Sequence, residues 1–235
     1  MSKLVLVRHG ESRWNLSNCF TGWADIPLSE AGIEEAKRCA TELNGLKFDT
    51  AFTSELSRAH ATLIIILAQQ HRTGVFQHES GRRKKFYNWS CESNHCSKDD
   101  MPIYTSYLLN ERYYGKLQGM NKDIARKKYG DKRIYEWRRG YKAKPPEGES
   151  LEGVYRRMLP YYKQRLQKAV EEGKNVLLVG HGNTLRALIK HLDHIPDIDM
   201  PFLDLPFGKP ITYSYLRKCW KCESPDAYTF KRPLR

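Results

Sequence analysis

Two histidines of this sequence each stand beside a glycine, one residue after a mostly apolar run. His9 follows the run Lys3–Val7, and His181 follows the run Asn175–Val179. Both runs read as buried strands, and ligands of parallel sheets bind at the carboxyl ends of strands. Glycine at such a strand end lets backbone N–H groups approach a ligand closely. We therefore expect the two imidazoles, together with Arg8, to face one phosphate-sized site.

This combination of side chains suits phosphoryl transfer through a phosphohistidine. The attacking imidazole nitrogen must be unprotonated at neutral pH, and a neighbouring cation such as Arg8 lowers the pKa of His9. The same cations stabilise the negative charge on the oxygens of the transferring group. A single His-Gly pair is more often a structural turn, so the prediction depends on finding two such pairs at two strand ends.

The surrounding elements should place these turns at one edge of a sheet. Apolar patterns predict four strands, at Lys3–Val7, Asp49–Thr53, Asn175–Val179 and Pro210–Leu216. They predict six helices, at Glu30–Leu43, Leu56–Gln70, Asn121–Tyr129, Asp131–Arg139, Leu151–Glu172 (with Ser150 as its N-cap) and Asn183–Leu192. Alternating strands and helices indicate an α/β, three-layer sandwich with a mostly parallel central sheet flanked by helices.

The length suits one catalytic domain spanning residues 1–235, with two irregular parts. Residues 71–107 are polar, basic and aromatic without a sustained period, and they read as a probable insertion on the surface. Residues 217–235 read as a C-terminal tail of unassigned function. The insertion contains Arg82–Lys85 beside three aromatic residues, which suggests a lid or a contact surface; a solvated loop is the plain alternative.

Composition favours an anionic partner. The chain has 40 Lys and Arg against 27 Asp and Glu, a net charge of +13, which suits phosphorylated metabolites, nucleic acid or an acidic membrane surface. A basic surface without a specific partner would look the same. No apolar run approaches the ~20 residues of a membrane span and no signal peptide is evident, so we expect a cytoplasmic protein. Six cysteines in a chain of this length do not indicate a disulfide framework.

Several motifs together resemble the cofactor-dependent phosphoglycerate mutases of the histidine phosphatase superfamily. The resemblance covers about three quarters of the chain, residues 3–70 and 108–216. The motifs are RHGES at 8–12, WN at 14–15, FTGW at 20–23, LSEAG at 28–32, LNERYYG at 109–115, LQGMNK at 117–122, WRR at 137–139 and HGNTLRA at 181–187. The histidine motif marks only the superfamily, whereas the LNER and WRR blocks are more specific to the mutases.

The resemblance implies a role for each matching residue. His9 would carry the phosphoryl group, His181 would bind that group, and Glu111 would be the general acid and base. The alternative for Glu111 is an ion pair with the next residue. Arg8 and Arg58 would complete the cationic clamp. Substrate binding would fall to Ser12, Asn15, Thr21, Gly22, Arg112, Tyr114, Lys122, Arg138, Arg139, Gly182 and Asn183.

The implied reaction is the interconversion of 3-phosphoglycerate and 2-phosphoglycerate in glycolysis and gluconeogenesis. Phospho-His9 would donate to the free hydroxyl, and the resulting 2,3-bisphosphoglycerate would return its other phosphoryl group to the histidine. Bisphosphoglycerate would also be the primer, and no metal would be needed. The partner would be a small phosphorylated carboxylate, with no specific nucleic acid and no membrane; a homodimer is a further candidate.

Three features depart from the family pattern. The turn at Pro145-Pro146 meets Glu149-Ser150 almost directly, as in the short forms of the family. Cys219 and Cys222 have metal-ligand spacing, but a structural zinc needs four ligands, so we expect no zinc. The sequon at 88–90 should be unused in a protein without a signal peptide.

Two other functions remain open at this point. A phosphatase of the same superfamily would hydrolyse phospho-His9 and would need the two histidines and Glu111, but no pair of arginines to bind a carboxylate. Arg138, Arg139 and Lys122 therefore favour the mutase. A basic nucleic-acid-binding protein would use Arg82–Lys85 and the net charge, but no recognition helix, RNA-binding signature or zinc finger is evident.

Overall fold

A central sheet organises the molecule, whose computed structural model describes residues 1–79 and 101–231. Within these residues, seven strands form the sheet in the order β3-β4-β2-β5-β1-β7-β8, and β6 pairs with β9 separately. The five strands from β3 to β1 run parallel, and β7 and β8 are antiparallel additions at one edge. The strands are β1 (Ser2–Arg8), β2 (Thr50–Thr53), β3 (Gly74–His78), β4 (Met101–Thr105), β5 (Val176–Gly180), β6 (Leu203–Asp204), β7 (Pro210–Leu216), β8 (Cys219–Cys222) and β9 (Thr229–Phe230).

Helices cover both faces of this sheet. They are α1 (Arg13–Leu16), α2 (Glu30–Glu42), α3 (Ser57–Gln69), α4 (Lys122–Tyr129), α5 (Asp131–Arg139), α6 (Leu151–Tyr161), α7 (Lys168–Glu171) and α8 (Gly182–Leu192). A π-helical segment, Tyr162–Gln167, joins α6 to α7. Ser150 caps α6 by accepting a hydrogen bond from the backbone N–H of Gly153, as predicted. The predicted α/β sandwich with a mostly parallel sheet is confirmed.

The alternation of side chains along β1 divides the core into two layers. Leu4 and Leu6 face a cluster that includes residues of α6 and α8, whereas Val5 and Val7 face a cluster that includes residues of α2 and α3. All four side chains are fully buried, so β1 has no solvent-facing side over this stretch. A strand buried on both faces reads as one continuous apolar run, which is why this sequence predicts it well.

A smaller apolar cluster supports the segment between the sheet and α6. Phe20 packs with Leu117, Ala125 and Ile134, and these residues hold α4 and α5 against the loop that follows α1. Residues 122–144, which include both helices, are called the 122–144 lobe below. This arrangement sets the lobe beside the carboxyl end of β1.

At both ends of the predicted insertion, residues 71–107, the structure has strands where the sequence pattern suggested none. Residues 74–78 and 101–105 are β3 and β4, two parallel strands of the central sheet. The apolar pattern is weak because Gly74 and Pro102 stand at the beginnings of these five-residue strands, and because β3 is a partly exposed edge strand. Arg82–Lys85, the neighbouring aromatic residues, Cys91, Cys96 and the sequon all lie outside the described residues.

The C-terminal tail also forms strands. β8 extends the sheet beyond β7, and β9 pairs with β6, where Lys231 forms an ion pair with Asp204. Cys219 is exposed at the start of β8, and Cys222 is half-buried at its end. Within residues 1–79 and 101–231, no helix is both long enough and apolar enough to cross a membrane.

Candidate active site

The two histidines lie together because β1 and β5 are parallel neighbours in the sheet. Arg8 pairs in register with Gly180, and the backbone N–H of His9 donates to the carbonyl of Gly180 at 3.0 Å. The imidazole rings of His9 and His181 are 4.9 Å apart between centroids. The structure thus brings together the two histidines that the sequence placed at strand ends.

The tautomer of His9 follows from its hydrogen bonds. Its Nδ1 lies 2.6 Å from the carbonyl oxygen of Gly10, which can only accept, so Nδ1 carries the proton. The Nε2 lone pair accepts a bond of 3.3 Å from Nε of Arg58. Burial, followed by the charges of Arg58 and Arg8, holds the pKa of His9 well below its ordinary value. Nε2 is therefore an unprotonated nitrogen available as a nucleophile at neutral pH.

His181 is held by a different contact. Its Nε2 lies 2.7 Å from the hydroxyl of Ser54, and its Nδ1 is buried without a hydrogen-bond partner among the described residues. Burial and the charge of Arg58 lower the pKa of His181 as well. His181 also precedes the first turn of α8, where N–H groups favour an anion.

Arg58 and Arg8 place two positive charges beside the imidazoles. The guanidinium of Arg58 donates to the carbonyls of Gly22 and Ala24 at 2.7 and 2.9 Å, and burial lowers its pKa to about 10. The guanidinium of Arg8 lies 3.6 Å from the ring centre of Phe207, and its Nε is buried without a partner within the described part of the chain. Both side chains are fixed before any ligand binds.

These groups border a cavity of about 130 Å³. Most of the predicted site residues line it: Arg8, His9, Asn15, Thr21, Gly22, Arg58, Glu111, Tyr114, Lys122, Arg138, Arg139, Gly182 and Asn183. Ser12 does not; its hydroxyl accepts from the N–H of Asn15 at 3.2 Å and caps α1. Arg112 lies behind the wall and holds Asn183, which forms part of it. His181 is fully buried with its ring against that of His9, so it reaches the site beside the nucleophile.

Glu111 faces the first turn of α8. Its carboxylate accepts from the N–H of Arg112 at 2.6 Å and from the N–H of Asn183 at 3.3 Å. The side chain of Arg112 points elsewhere, since its Nη2 donates to Asn183 Oδ1 at 2.9 Å and to the carbonyl of Arg138. A side-chain ion pair between Glu111 and Arg112, the alternative weighed from the sequence, does not form among the described contacts.

The two adjacent arginines at the end of α5 have different surroundings. Arg139 donates to the carbonyls of Pro201 and Leu203, both at 2.8 Å, and to the carboxylate of Asp204 at 3.3 Å. Burial lowers the pKa of Arg138. Both arginines line the cavity, but the guanidinium of Arg139 already donates to residues 201–204 on the opposite wall. Sequence alone treated the two as equivalent.

Sequence reasoning missed several residues of the site. Arg186, Cys19, Phe20, Asp204 and Leu205 line the cavity, and Ser54 binds His181. Arg186 stands three positions after Asn183 in α8, so helical spacing from the histidine turn could have indicated it. Arg186 lies within the HGNTLRA motif, but the sequence analysis gave it no role.

The cavity fits an anionic, phosphate-bearing ligand. Arg8 Nε, Thr21 Oγ1 and His181 Nδ1 are buried polar atoms without partners in the described ranges, and unpaired buried donors are costly unless a ligand satisfies them. Burial, followed by the charge of Arg138, lowers the pKa of Lys122 to about 8, which adds a readily titrated cation to the wall. In residues 1–79 and 101–231, no group of three or more His, Cys, Asp and Glu is arranged to hold a metal ion.

Comparison with known proteins gives the same superfamily. The chain matches the histidine phosphatase superfamily (branch 1) over residues 4–81 and 94–224. It is 42% identical to a 2,3-bisphosphoglycerate-dependent phosphoglycerate mutase of Methanosarcina acetivorans, over 92% of each chain. It is also 42% identical to the protein of that name from Gloeothece citriformis, over 91% of this chain and 94% of the relative. A mycobacterial glucosyl-3-phosphoglycerate phosphatase has a similar fold, with a TM-score of 0.74 at 22% identity, covering 95% of this chain and 98% of that one.

Proposed function

Because the chain belongs to the histidine phosphatase superfamily (branch 1), we propose that it is a 2,3-bisphosphoglycerate-dependent phosphoglycerate mutase. It interconverts 3-phosphoglycerate and 2-phosphoglycerate, a glycolytic isomerase reaction. The observation that carries this proposal is the convergence of a neutral His9, a carboxylate at Glu111 and the cations Arg8, Arg58, Lys122 and Arg138 on one cavity.

His9 Nε2 is the nucleophile of the reaction. Its lone pair attacks the phosphorus, the bond from phosphorus to the substrate oxygen breaks, and Glu111 gives a proton to that leaving oxygen. In the opposite direction Glu111 takes the proton of the substrate hydroxyl as the phosphoryl group leaves His9. Arg58, Arg8 and His181 bind the oxygens of the transferring group, where fixed charges stabilise the transition state most effectively.

The other wall holds the part of the substrate that does not react. Lys122, Arg138 and Tyr114 supply a cationic and hydrogen-bonding surface for the carboxylate and the second phosphate, and Asn15, Thr21, Gly22 and Asn183 supply neutral contacts. The same residues would hold 2,3-bisphosphoglycerate, which when bound supplies the phosphoryl group that charges His9. The buried, unpartnered hydroxyl of Thr21 in the described part of the chain supports binding of a polar ligand here.

The proposal is tested by assaying conversion of 3-phosphoglycerate with and without 2,3-bisphosphoglycerate, in the presence of a chelator. We expect turnover that depends on the primer, resists the chelator and disappears in His9→Ala. His191→Ala is the matched control, because His191 lies in α8 outside the cavity and should leave turnover intact. Turnover that persists in His9→Ala would refute the phosphohistidine route.

The phosphatase alternative is measured on the same preparations. Inorganic phosphate released from 3-phosphoglycerate without formation of 2-phosphoglycerate would favour it over the mutase. Lys122 and Arg138 in the cavity wall support the mutase, since hydrolysis of a phosphoester needs no separate carboxylate site. The cytoplasmic location, the homodimer and the lack of a specific nucleic-acid partner stay predictions.

A further inference from the structure

Arg186 is a buried cation of the cavity wall. Its side chain lies in α8, the residue is 4% exposed, and it forms no ion pair with any carboxylate of the described residues. Burial, followed by the charges of Arg139 and Arg112, lowers its pKa to about 9. Keeping such a charge inside a protein without a counter-ion is costly, so its position calls for a function.

The first contact of Arg186 fixes the amide of Asn183. Nη1 of Arg186 and Nη2 of Arg112 both donate to Asn183 Oδ1, each at 2.9 Å. A carbonyl oxygen has two lone pairs, so both are occupied. The NH₂ group of Asn183 must then face the other way, where it lies 3.2 Å from the hydroxyl of Tyr114. Asn183 can therefore offer the cavity only a donor.

The remaining contacts of Arg186 join α8 to two other walls. Its Nη2 donates to the carbonyl of Arg139 at 3.1 Å and to the carbonyl of Met200. The carbonyl of Arg138 is held in the same way by Arg112. Cations stabilise the exposed carbonyls at a helix C-terminus, so this pair of guanidinium groups fixes the end of α5 from which Arg138 enters the cavity.

None of the described hydrogen bonds of Arg186 reaches either catalytic imidazole. We propose that Arg186 is a positioning residue for substrate selection: it holds Asn183 directly, and through the carbonyl of Arg139 it holds the end of α5 that carries Arg138, so that the cavity recognises the carboxylate-bearing end of a phosphorylated acid. This inference rests on the proposed function and adds to it a specificity residue that acts through its neighbours. Charge alone is insufficient for this role, since three acceptors in fixed directions require the planar fork of arginine.

The test compares Arg186→Met and Arg186→Lys with the original protein, using calorimetric binding of 3-phosphoglycerate and of orthovanadate. Orthovanadate is phosphate-sized and has no carboxylate. We expect both variants to bind 3-phosphoglycerate about tenfold or more weakly, as for loss of a hydrogen bond to a charged group, and to bind orthovanadate unchanged. In the mutase assay, KM should rise more than kcat falls. Circular dichroism establishes folding, and Arg186→Lys serves if Arg186→Met does not fold.

Lys190→Met is the matched control, because Lys190 lies one turn further along α8 and donates to the carbonyl of Ile195 at 2.6 Å, away from the cavity. It should leave both affinities unchanged. A double-mutant cycle with Asn183→Ala should be non-additive if Arg186 acts through Asn183. Additive effects, or equal weakening of both ligands, would overturn the inference.

The failure of the inference can be told apart from failure of the proposed function. If the original protein converts no 3-phosphoglycerate even with the primer, the proposed function fails and the inference falls with it. If the original protein is active but both Arg186 variants bind 3-phosphoglycerate as tightly as it does, only the inference is refuted.

Discussion

At the scale of single residues, burial rather than any one neighbour prepares the nucleophile. The sequence suggested that Arg8 would keep His9 neutral, but burial is the larger cause and Arg58 precedes Arg8. Burial lowers the pKa of both His9 and Lys122. For His9 this keeps Nε2 unprotonated and able to attack, whereas for Lys122 it makes the positive charge easier to lose. The cavity thus combines a neutral imidazole with cations that lose their charge at different pH values, since the pKa of Lys122 is lowered to about 8 and that of Arg58 to about 10.

The lowered pKa of Lys122 predicts how activity depends on pH. With a pKa of about 8 in the free protein, its charge is lost as the pH rises past that value. We expect kcat/KM to fall about tenfold per pH unit above this point, because kcat/KM reports the ionisation of the free enzyme. In Lys122→Arg the guanidinium stays charged, so the alkaline fall should move upward or vanish.

The control for this prediction is Lys127→Arg, which changes an exposed lysine of the same helix and should leave the profile unaltered. The profiles are measured from pH 6 to pH 10 with a single buffer mixture of constant ionic strength. An alkaline fall that is identical in Lys122→Arg and in the original protein would assign it to another group.

At the scale of elements, the sequence predicted those whose apolar pattern is complete. β1 and β5 are buried on both faces, and α6 and α8 begin directly after a serine cap and a histidine turn. The same reasoning failed for β3, β4 and β8, which are short and lie at or near sheet edges. Edge strands are stabilised by their sheet partners more than by their own pattern, so one sequence carries little signal for them.

Site residues could be predicted where a reactive side chain lies next to the end of a strand or the start of a helix. His9, His181 and Arg58 each stand within two residues of a strand end or a helix start. Arg186 was missed because a buried arginine inside a helix looks like an exposed one until the contacts of its guanidinium are known. The different environments of Arg138 and Arg139 likewise depend on the segment at 197–204, which no local pattern places.

The start of α2 packs closely against the backbone of the loop that follows β1, and a substitution at Gly32 tests this contact. Gly32 follows the N-cap Ser29 by three positions, and a Cβ there would lie 2.1 Å from the carbonyl oxygen of Glu11. Gly32→Ala must push this loop, and His9 with it, out of place. We expect a loss of about 1–3 kcal/mol in the free energy of unfolding, as for overpacking, together with a fall in kcat.

Gly153→Ala is the matched control, because Gly153 also follows a serine N-cap by three positions, at the start of α6. An added Cβ there would meet the side chain of Glu149 at 2.9 Å rather than backbone. Both variants gain helix propensity, so urea unfolding isolates the cost of the backbone clash. Equal stability of the two variants would contradict this account.

At the scale of the whole molecule, the excess positive charge is unevenly distributed. The 122–144 lobe contains ten Lys and Arg and three Asp and Glu, a net charge of +7 out of the +13 of the chain. Lys122, Arg138 and Arg139 line the cavity, whereas Lys127, Lys132 and Arg133 are exposed. A cationic surface beside a site raises the local concentration of anions and their association rate, and salt screens this effect.

We therefore expect the exposed charges of the lobe, which lie outside the cavity, to speed the capture of phosphorylated acids without contacting them. In Lys127→Ala/Lys132→Ala/Arg133→Ala, the association rate of 3-phosphoglycerate at low salt should fall about twofold to tenfold, with kcat unchanged, because only long-range steering is lost. The control is Lys47→Ala/Lys168→Ala/Lys174→Ala, which removes equal charge near the amino ends of β2 and β5, the sheet edge opposite the histidines. Stopped-flow measurements across a salt series give the rates. If both triple variants slow association equally, net charge matters and the position of the lobe does not; if the difference between them disappears at high salt, steering by the lobe is supported.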